Sequence, residues 1–469
     1  MKRNLSQGSI LKNIIFFSLP YLLSYFLQTL YGMADLFIIG QFDSIDSTTA
    51  VSVGSQVMYM LTVMIVGLAM GSTVLIGRSV GAGNKKRTAN EIGNTVTLFM
   101  IVAAVLTAVL LLLVKPIVAV VSTPEEAVDG TVSYLTICFM GIPFITAYNI
   151  ISSIFRGMGD SKSPMYFIAI ACAANIVLDY LFIGAFGLGT AGAALGTTLS
   201  QTISVIISLI VILKRKNLIK ISLKDLKPDR VINKNILKIG VPIALQDGFI
   251  QISFILITII ANRRGLSDAA AVGIVEKLIG ILFLVPSSLL STVSVISSQN
   301  IGAGKPERAR RTLWYAVVIN VVFGVISAVL MQFFAEGAVG LFTDDPTVIM
   351  LGGQYMHGYV WDCILAGVHF CFSGYFCACG KSGISFLHNF LSIILARIPI
   401  AYFASKAFSD TLFPMGLAAP AGSVISVHNL CCGIYHNYEE KFRQKIKIGI
   451  TLVQMSHRLL AAGAVSKFQ

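Results

Sequence analysis

A chain of 469 residues would ordinarily fold as roughly two to four soluble domains, yet here 55% of residues are hydrophobic and only 12% are charged. A soluble domain carries roughly 25% charged residues, because it must present polar surface to water. With half that density and a mean hydropathy of +0.81, the chain is an integral membrane protein, which excludes soluble enzymes, nucleic-acid binders and disordered scaffolds.

The chain begins with a short polar and basic segment, Met1 to Asn13. The apolar run after it is too long for a signal peptide, contains Asp35 and lacks a small-residue cleavage site, so it reads as a first spanning helix. A spanning helix needs about 20 mostly apolar residues. Runs of that size start near Ile14, Val51, Ile92, Val132, Met165, Thr190, Ile236, Val272, Thr312, Val348, Ser385 and Thr411. The expected fold is therefore an all-α membrane protein with twelve transmembrane helices. The short alternating segments of a β-barrel are absent.

Basic residues orient these spans. The N-terminal segment, the even-numbered connections and the C-terminal tail hold 29 of the 35 Lys and Arg, against Lys115, Arg263, Arg264 and Lys406 on the other side. Both termini are expected in the cytoplasm of a cell-membrane protein. The net charge of +13 then needs no nucleic-acid partner.

The chain is also an internal duplication. Pro20 recurs as Pro242, Gly81 to Gly83 as Gly302 to Gly304, Pro124 as Pro346 and Gly159 as Gly380. These four landmarks share one offset to within a single position. The expected organisation is a six-helix bundle over residues 1–213, a basic linker over 214–235, a second six-helix bundle over 236–436 and a basic tail over 437–469. Six helices is an even number, so both bundles insert the same way up. The linker reads as a solvated or headgroup-lying connection. The cysteines, Cys138, Cys172, Cys363, Cys371, Cys377, Cys379, Cys431 and Cys432, have no zinc or thioredoxin spacing and read as small core residues.

Acids inside spans carry the functional signal. An aspartate at the centre of a spanning helix costs about 2.5–3.5 kcal/mol, so it usually faces the bundle interior and often marks an ion path. On the first span Gln28, Tyr31 and Asp35 share a face. On the fifth, Asn175 and Asp179 stack one turn apart. The sixth adds Thr197 and Thr198. Two carboxylates, an amide and a hydroxyl make an all-oxygen set suited to a monovalent cation or a shared proton. In the second half the spacing picks out Gln246, Asp247 and Gln251 on the seventh span, and Asp362 with His369 on the tenth. Glu276 beside Lys277 reads as an ion pair near the outer surface. The GKS at Gly380 to Ser382 has the wrong spacing and setting for a P-loop.

Several stretches together give the chain a family likeness: SLPYLLSYFLQTLYGMADLFIIGQ on the first span, FRGMGDSKSP, NIVLDYLFIGAFGLGTAGAALGT and the paired GAG loops. The chain resembles the multidrug and toxic compound extrusion (MATE) transporters, in particular their DinF-like branch, within the larger flippase-related superfamily. The resemblance implies two pseudo-symmetric six-helix bundles in a V around a central cleft. It also implies export of bulky, often cationic, lipophilic compounds in exchange for H⁺ or Na⁺, with no cofactor beyond that ion. By resemblance the cation-binding residues are Asp35, Asn175, Asp179 and Thr197, the first-helix hinge is Pro20, and Gln28, Tyr134 and Asn149 line the first-bundle cavity. Another branch carries a seventh-helix glutamate where this chain has Ile250, with Asp247 and Asp362 about a turn out of step, which leaves a second-bundle cation site open.

The expected function is thus a monomeric secondary antiporter and not an enzyme, with Gln28, Tyr31, Tyr134, Asn149, Gln246, Asp247, Gln251, Asp362 and His369 as cavity candidates. Two rivals stay open: a lipid-linked precursor flippase, which would want Arg or Lys along its cavity, and a membrane enzyme, for which Asp362 with His369 is the one candidate pair.

Overall fold

The computed structural model describes residues 5–121, 123–215 and 221–430. The C-terminal tail, Cys431, Cys432 and linker residues 216–220 lie outside the described residues. Helices α1 (Ile10–Phe42), α2 (Ile45–Gly81) and α3 (Lys85–Val120) lead to α4 (Val128–Met140) and α5 (Ile142–Gly157), one span bent by 50° at Gly141. α6 (Lys162–Asp179) continues into a π turn (Tyr180–Ala185), and α7 (Gly189–Lys214) ends the first half.

The second half follows the same plan. α8 (Arg230–Asn262) comes first, then α9 (Leu266–Leu282) running into α10 (Leu284–Gly302), and α11 (Pro306–Gly340). α12 (Pro346–Tyr359) and α13 (Asp362–Ala378) form a second bent span, at 44°. α14 (Ser382–Ser392), a π turn (Ile393–Arg397) and α15 (Ile398–Ala407) make the next, and α16 (Phe413–Gly416) opens a helical stretch that continues to Leu430. Nine of these segments are long and apolar enough to cross a membrane, or eleven with the two bent pairs, among the described residues; the helical stretch from Phe413 is described as far as Leu430. No strand occurs among the described residues.

Caps mark where helices start. Ser9, Ser44, Asn84, Asp229 and Asp345 each accept a backbone N–H from the first turn of α1, α2, α3, α8 and α12, satisfying donors that would otherwise be orphaned. The duplication extends to how helices end. Gly83 and Gly304 have φ of 70° and 72°, and Gly159 and Gly380 have 87° and 74°. At each, the next residue's N–H returns to a carbonyl five positions back, as in Asn84 to Ser79 and Lys305 to Asn300. That is the left-handed helix stop which glycine adopts without a Cβ penalty.

Where the helices end on the basic face, the two halves meet in a seam. Arg78 at the end of α2 donates from Nε to the Ala378 carbonyl at 3.0 Å, and Gln299 at the end of α10 donates from Nε2 to the Gly157 carbonyl at 2.9 Å. The repeat maps Arg78 onto Gln299 and Gly157 onto Ala378 at an identical offset. The two contacts stand at equivalent positions, Arg78 adding a second bond from Nη2, and each half caps a helix of the other. Deeper in the seam α2 crosses α8 at Gly71 and Gly240, where a Cβ on either would run into the partner's backbone carbonyl, Ile236 or Leu68. The start of α1 also packs across the seam, Ile14, Phe17 and Tyr21 lying with Leu289, Val293 and Leu313. A central cavity lies beyond the seam, toward the face poor in basic residues.

Candidate functional site

In the first bundle α1, α6 and α7 converge on a polar pocket. Asp35 is 2% exposed, and Asn175 and Asp179 are 0% exposed. Thr197 Oγ1 donates to Asp35 Oδ2 at 3.0 Å. Gly196 makes room for Asp179, since a Cβ there would collide with Oδ1 and lie 3.6 Å from Asn175 Nδ2. The Tyr31 hydroxyl donates to the Thr197 carbonyl at 3.0 Å and meets Ser200 Oγ at 2.9 Å, clamping α1 to α7 one turn from Asp35. A π turn begins at Tyr180, directly after Asp179; such widened turns are frequent at functional positions.

The pocket is short of partners. Asp35 Oδ1, both Asp179 oxygens and both amide atoms of Asn175 are buried with no hydrogen-bond partner outside this cluster. Burying such groups unpaired costs several kcal/mol each when they are charged, and a native structure keeps them together only for a reason. The donor set is oxygen-rich and hard, so a shared proton or a bound Na⁺ would satisfy it.

A cavity of about 410 Å³ lies between the bundles. Asp35 and Thr197 reach its wall, while Asn175 and Asp179 stand behind them. Gln28, Tyr31, Tyr134 and Asn149 line it from the first bundle, and Gln246, Asp247 and Gln251 from the second. Asn149 spends its amide on the Ile145 carbonyl at 2.8 Å, whereas Gln246 Oε1 is buried and unpartnered. Pro20 is buried within α1, which is continuous through it.

Two of the sequence readings are corrected. Asp362 and His369 do not line the cavity; both are buried in the second bundle, where His369 Nε2 lies 3.3 Å from Ser423 Oγ and its ring centroid is 5.7 Å from that of His388. They do share a helix face, but it is the neighbouring Phe370, about 100° further round, that reaches the cavity. Glu276 and Lys277 form no ion pair. Successive helix residues diverge by the same angle: Lys277 is exposed, while Glu276 turns inward and accepts from Thr258 Oγ1 at 3.2 Å.

Sequence reasoning missed the aromatic wall, in which Tyr25, Tyr59, Tyr148, Phe254 and Phe283 join Phe370. It also missed the capping contacts of Arg78 and Gln299, although the repeat offset links both donors and both acceptors. Aromatic residues on spans are too common to single out without knowing which helix faces oppose.

The MatE family model matches residues 20–181 and again 242–403, the same offset that separates Pro20 from Pro242. The chain is similar to two Bacillus subtilis proteins. One is the probable multidrug resistance protein YpnP, 28% identical over 92% of this chain and 96% of the relative. The other is the probable multidrug resistance protein YoeA, 25% identical over 90% and 93%. Among solved structures, a MATE protein in complex with MaL6 superimposes with a TM-score of 0.86 at 22% identity, covering 93% of this chain and 98% of that one.

Proposed function

Since the chain belongs to the MatE family, we propose that it is a secondary antiporter of the DinF-like type. It exports bulky, lipophilic, often cationic organic compounds across the cell membrane in exchange for H⁺ or Na⁺. The basic face is cytoplasmic and the working unit is a monomer of two six-helix bundles. One observation carries this reading: a sheltered cluster of buried carboxylates, Asp35 and Asp179, with too few partners outside itself, adjoins a cavity large enough for an organic molecule.

The chemistry follows from charge. With a proton or Na⁺ aboard, the pair Asp35 and Asp179 is neutralised, and α1 is free to bend near Pro20, where the ring removes one helix hydrogen bond. The cavity is then less negative, holds a positive substrate more weakly and releases it outward. With the acids bare, the negative cavity takes up a new cationic substrate. The ion drives the change only through its different affinity for the two states. The bundles rock against each other about the seam, and the Arg78 and Gln299 contacts hold the cytoplasmic side shut in the arrangement described above.

A flippase reading finds less support, because no Lys, Arg or His is among the described residues that line the cavity, and a pyrophosphate headgroup needs positive partners. The test is dye accumulation in everted membrane vesicles under an imposed pH gradient and, separately, a sodium gradient. One gradient should drive accumulation in vesicles that contain the protein; if neither does, antiport is refuted.

A further inference from the structure

Asp35 and Asp247 are the two acids among the described residues that line the central cavity, and they are in opposite situations. Asp35 belongs to the first-bundle pocket and already accepts a hydrogen bond from Thr197. Asp247 projects from α8 on the facing bundle, and no described residue hydrogen-bonds or ion-pairs with its carboxylate. A carboxylate inside a membrane protein with no partner and no neighbouring cation is expensive.

The surroundings make room for it. Gly67 on α2 faces Asp247 at the crossing with α8, and a Cβ at that position would stand 2.8 Å from Asp247 Oδ2 and 3.0 Å from the Ala244 backbone. The missing side chain leaves the carboxylate free at the floor of the cavity. Aromatic rings stand in the walls of the same cavity: Tyr25 and Tyr59 from the first bundle, Phe254, Phe283 and Phe370 from the second. An acid in a cavity walled by aromatic rings suits an organic cation, by charge at close range and by the negative ring faces available to its body.

We propose that Asp247 is the counter-ion of the transported compound and selects organic monocations with aromatic or alkyl bodies, leaving Asp35 and Asp179 to the coupling ion. This rests on the antiporter reading above and divides its labour between the bundles: recognition charge on the second, coupling charge on the first. Because Asp247 sits at the crossing of α2 and α8, rocking of the bundles changes what faces it, so affinity for the cargo differs between the two states without the coupling ion having to touch the cargo.

The test is equilibrium binding to the purified full-length transporter of two probes of similar shape, the cation tetraphenylphosphonium and the uncharged triphenylphosphine oxide. Wild type should prefer the cation. Asp247→Asn should weaken the cation by about tenfold or more while leaving the oxide within about twofold, and Asp247→Glu should keep the preference. Retained binding of the neutral probe shows that the variant is folded. Cation binding in Asp247→Asn within about twofold of wild type would overturn the proposal, as would equal loss of both probes, which would make the residue structural. A loss of cation preference in Asp35→Asn but not in Asp247→Asn would also overturn it. Failure of the antiporter reading looks different: wild-type vesicles would then ignore both gradients, whatever the binding data show.

Discussion

The two bundles share a backbone plan but differ in what they bury at matching positions. The repeat offset, which varies by one position, carries Asp35 to Leu256 or Ile257, Asn175 to Ala396 or Arg397, Asp179 to Ile400 or Ala401, and Thr197 to Ala418 or Ala419. No carboxylate occurs at any of these places. Ile257, Ala401, Ala418 and Ala419 are instead buried together in one apolar core with Tyr355 and Met415. Nearby, Arg397 is a fixed cation that donates to the Tyr359 hydroxyl at 2.8 Å and lies 4.4 Å over the Phe254 ring. The first bundle keeps buried polar oxygens where the second keeps methyl groups. Duplication supplied a symmetric frame, and under the antiporter proposal the asymmetry in its filling leaves the response to an ion to the first bundle.

Placing an acid where the second bundle has none breaks the comparison most severely. Ala401→Asp would bury a carboxylate among aliphatic side chains, and even with Arg397 one helical turn away it should cost about 1–3 kcal/mol, visible as a drop in the melting temperature of the detergent-solubilised protein. A melting point within error of wild type would mean that the second pocket is more adaptable than its packing indicates.

The seam gives a finer contrast, because its two contacts are equivalent in position but Arg78 donates from both Nε and Nη2 and carries a charge, whereas Gln299 donates once. A hydrogen bond from a charged donor is worth about 1.5–3 kcal/mol and a neutral one about 0.5–1.5 kcal/mol. Arg78→Ala should therefore open the basic face more than Gln299→Ala does. Spin labels at Asn84 and Lys305, read by pulsed dipolar spectroscopy, should show a larger long-distance population in the arginine variant. Equal populations would refute the ranking.

The smallest effect lies outside the spans. Asp160, between α5 and α6, accepts from Ser163 Oγ at 2.7 Å and from Arg215 Nη1 at 2.9 Å. Burial works to raise its pKa, but the hydrogen bonds from Ser163 and Arg215 outweigh burial and hold it below the usual carboxylate value. A lowered folded-state value means that this tie is complete above the ordinary carboxylate range and fades as pH falls through the lower value. The protection of amides over residues 158–165, taken relative to their intrinsic exchange, should thus stay high at neutral pH and fall only in acid, and Asp160→Asn should flatten that dependence.

Much of this frame was legible in the sequence because its signals are long and redundant. A spanning helix shows in about 20 residues of hydropathy, and the repeat shows in four separate landmarks. The bends at Gly141 and between Tyr359 and Asp362 were not legible, since they divide runs that are apolar on both sides. The π turns after Asp179 and before Ile398 leave no compositional mark. Helical spacing put Asp362 and His369 on one face, but spacing alone cannot say which neighbour covers that face. For the same reason Glu276 was assigned to its sequence neighbour Lys277, whereas its contact is Thr258, 18 residues away.

The claim underneath this account is that ion coupling resides in the first bundle alone. Everted vesicles carrying wild type, Asp35→Asn or Asp179→Asn, at matched protein content, test it under the gradient that drives the wild type. The account predicts that both substitutions abolish gradient-driven dye accumulation while the protein remains in the membrane and still binds dye. Full accumulation in both variants would contradict it.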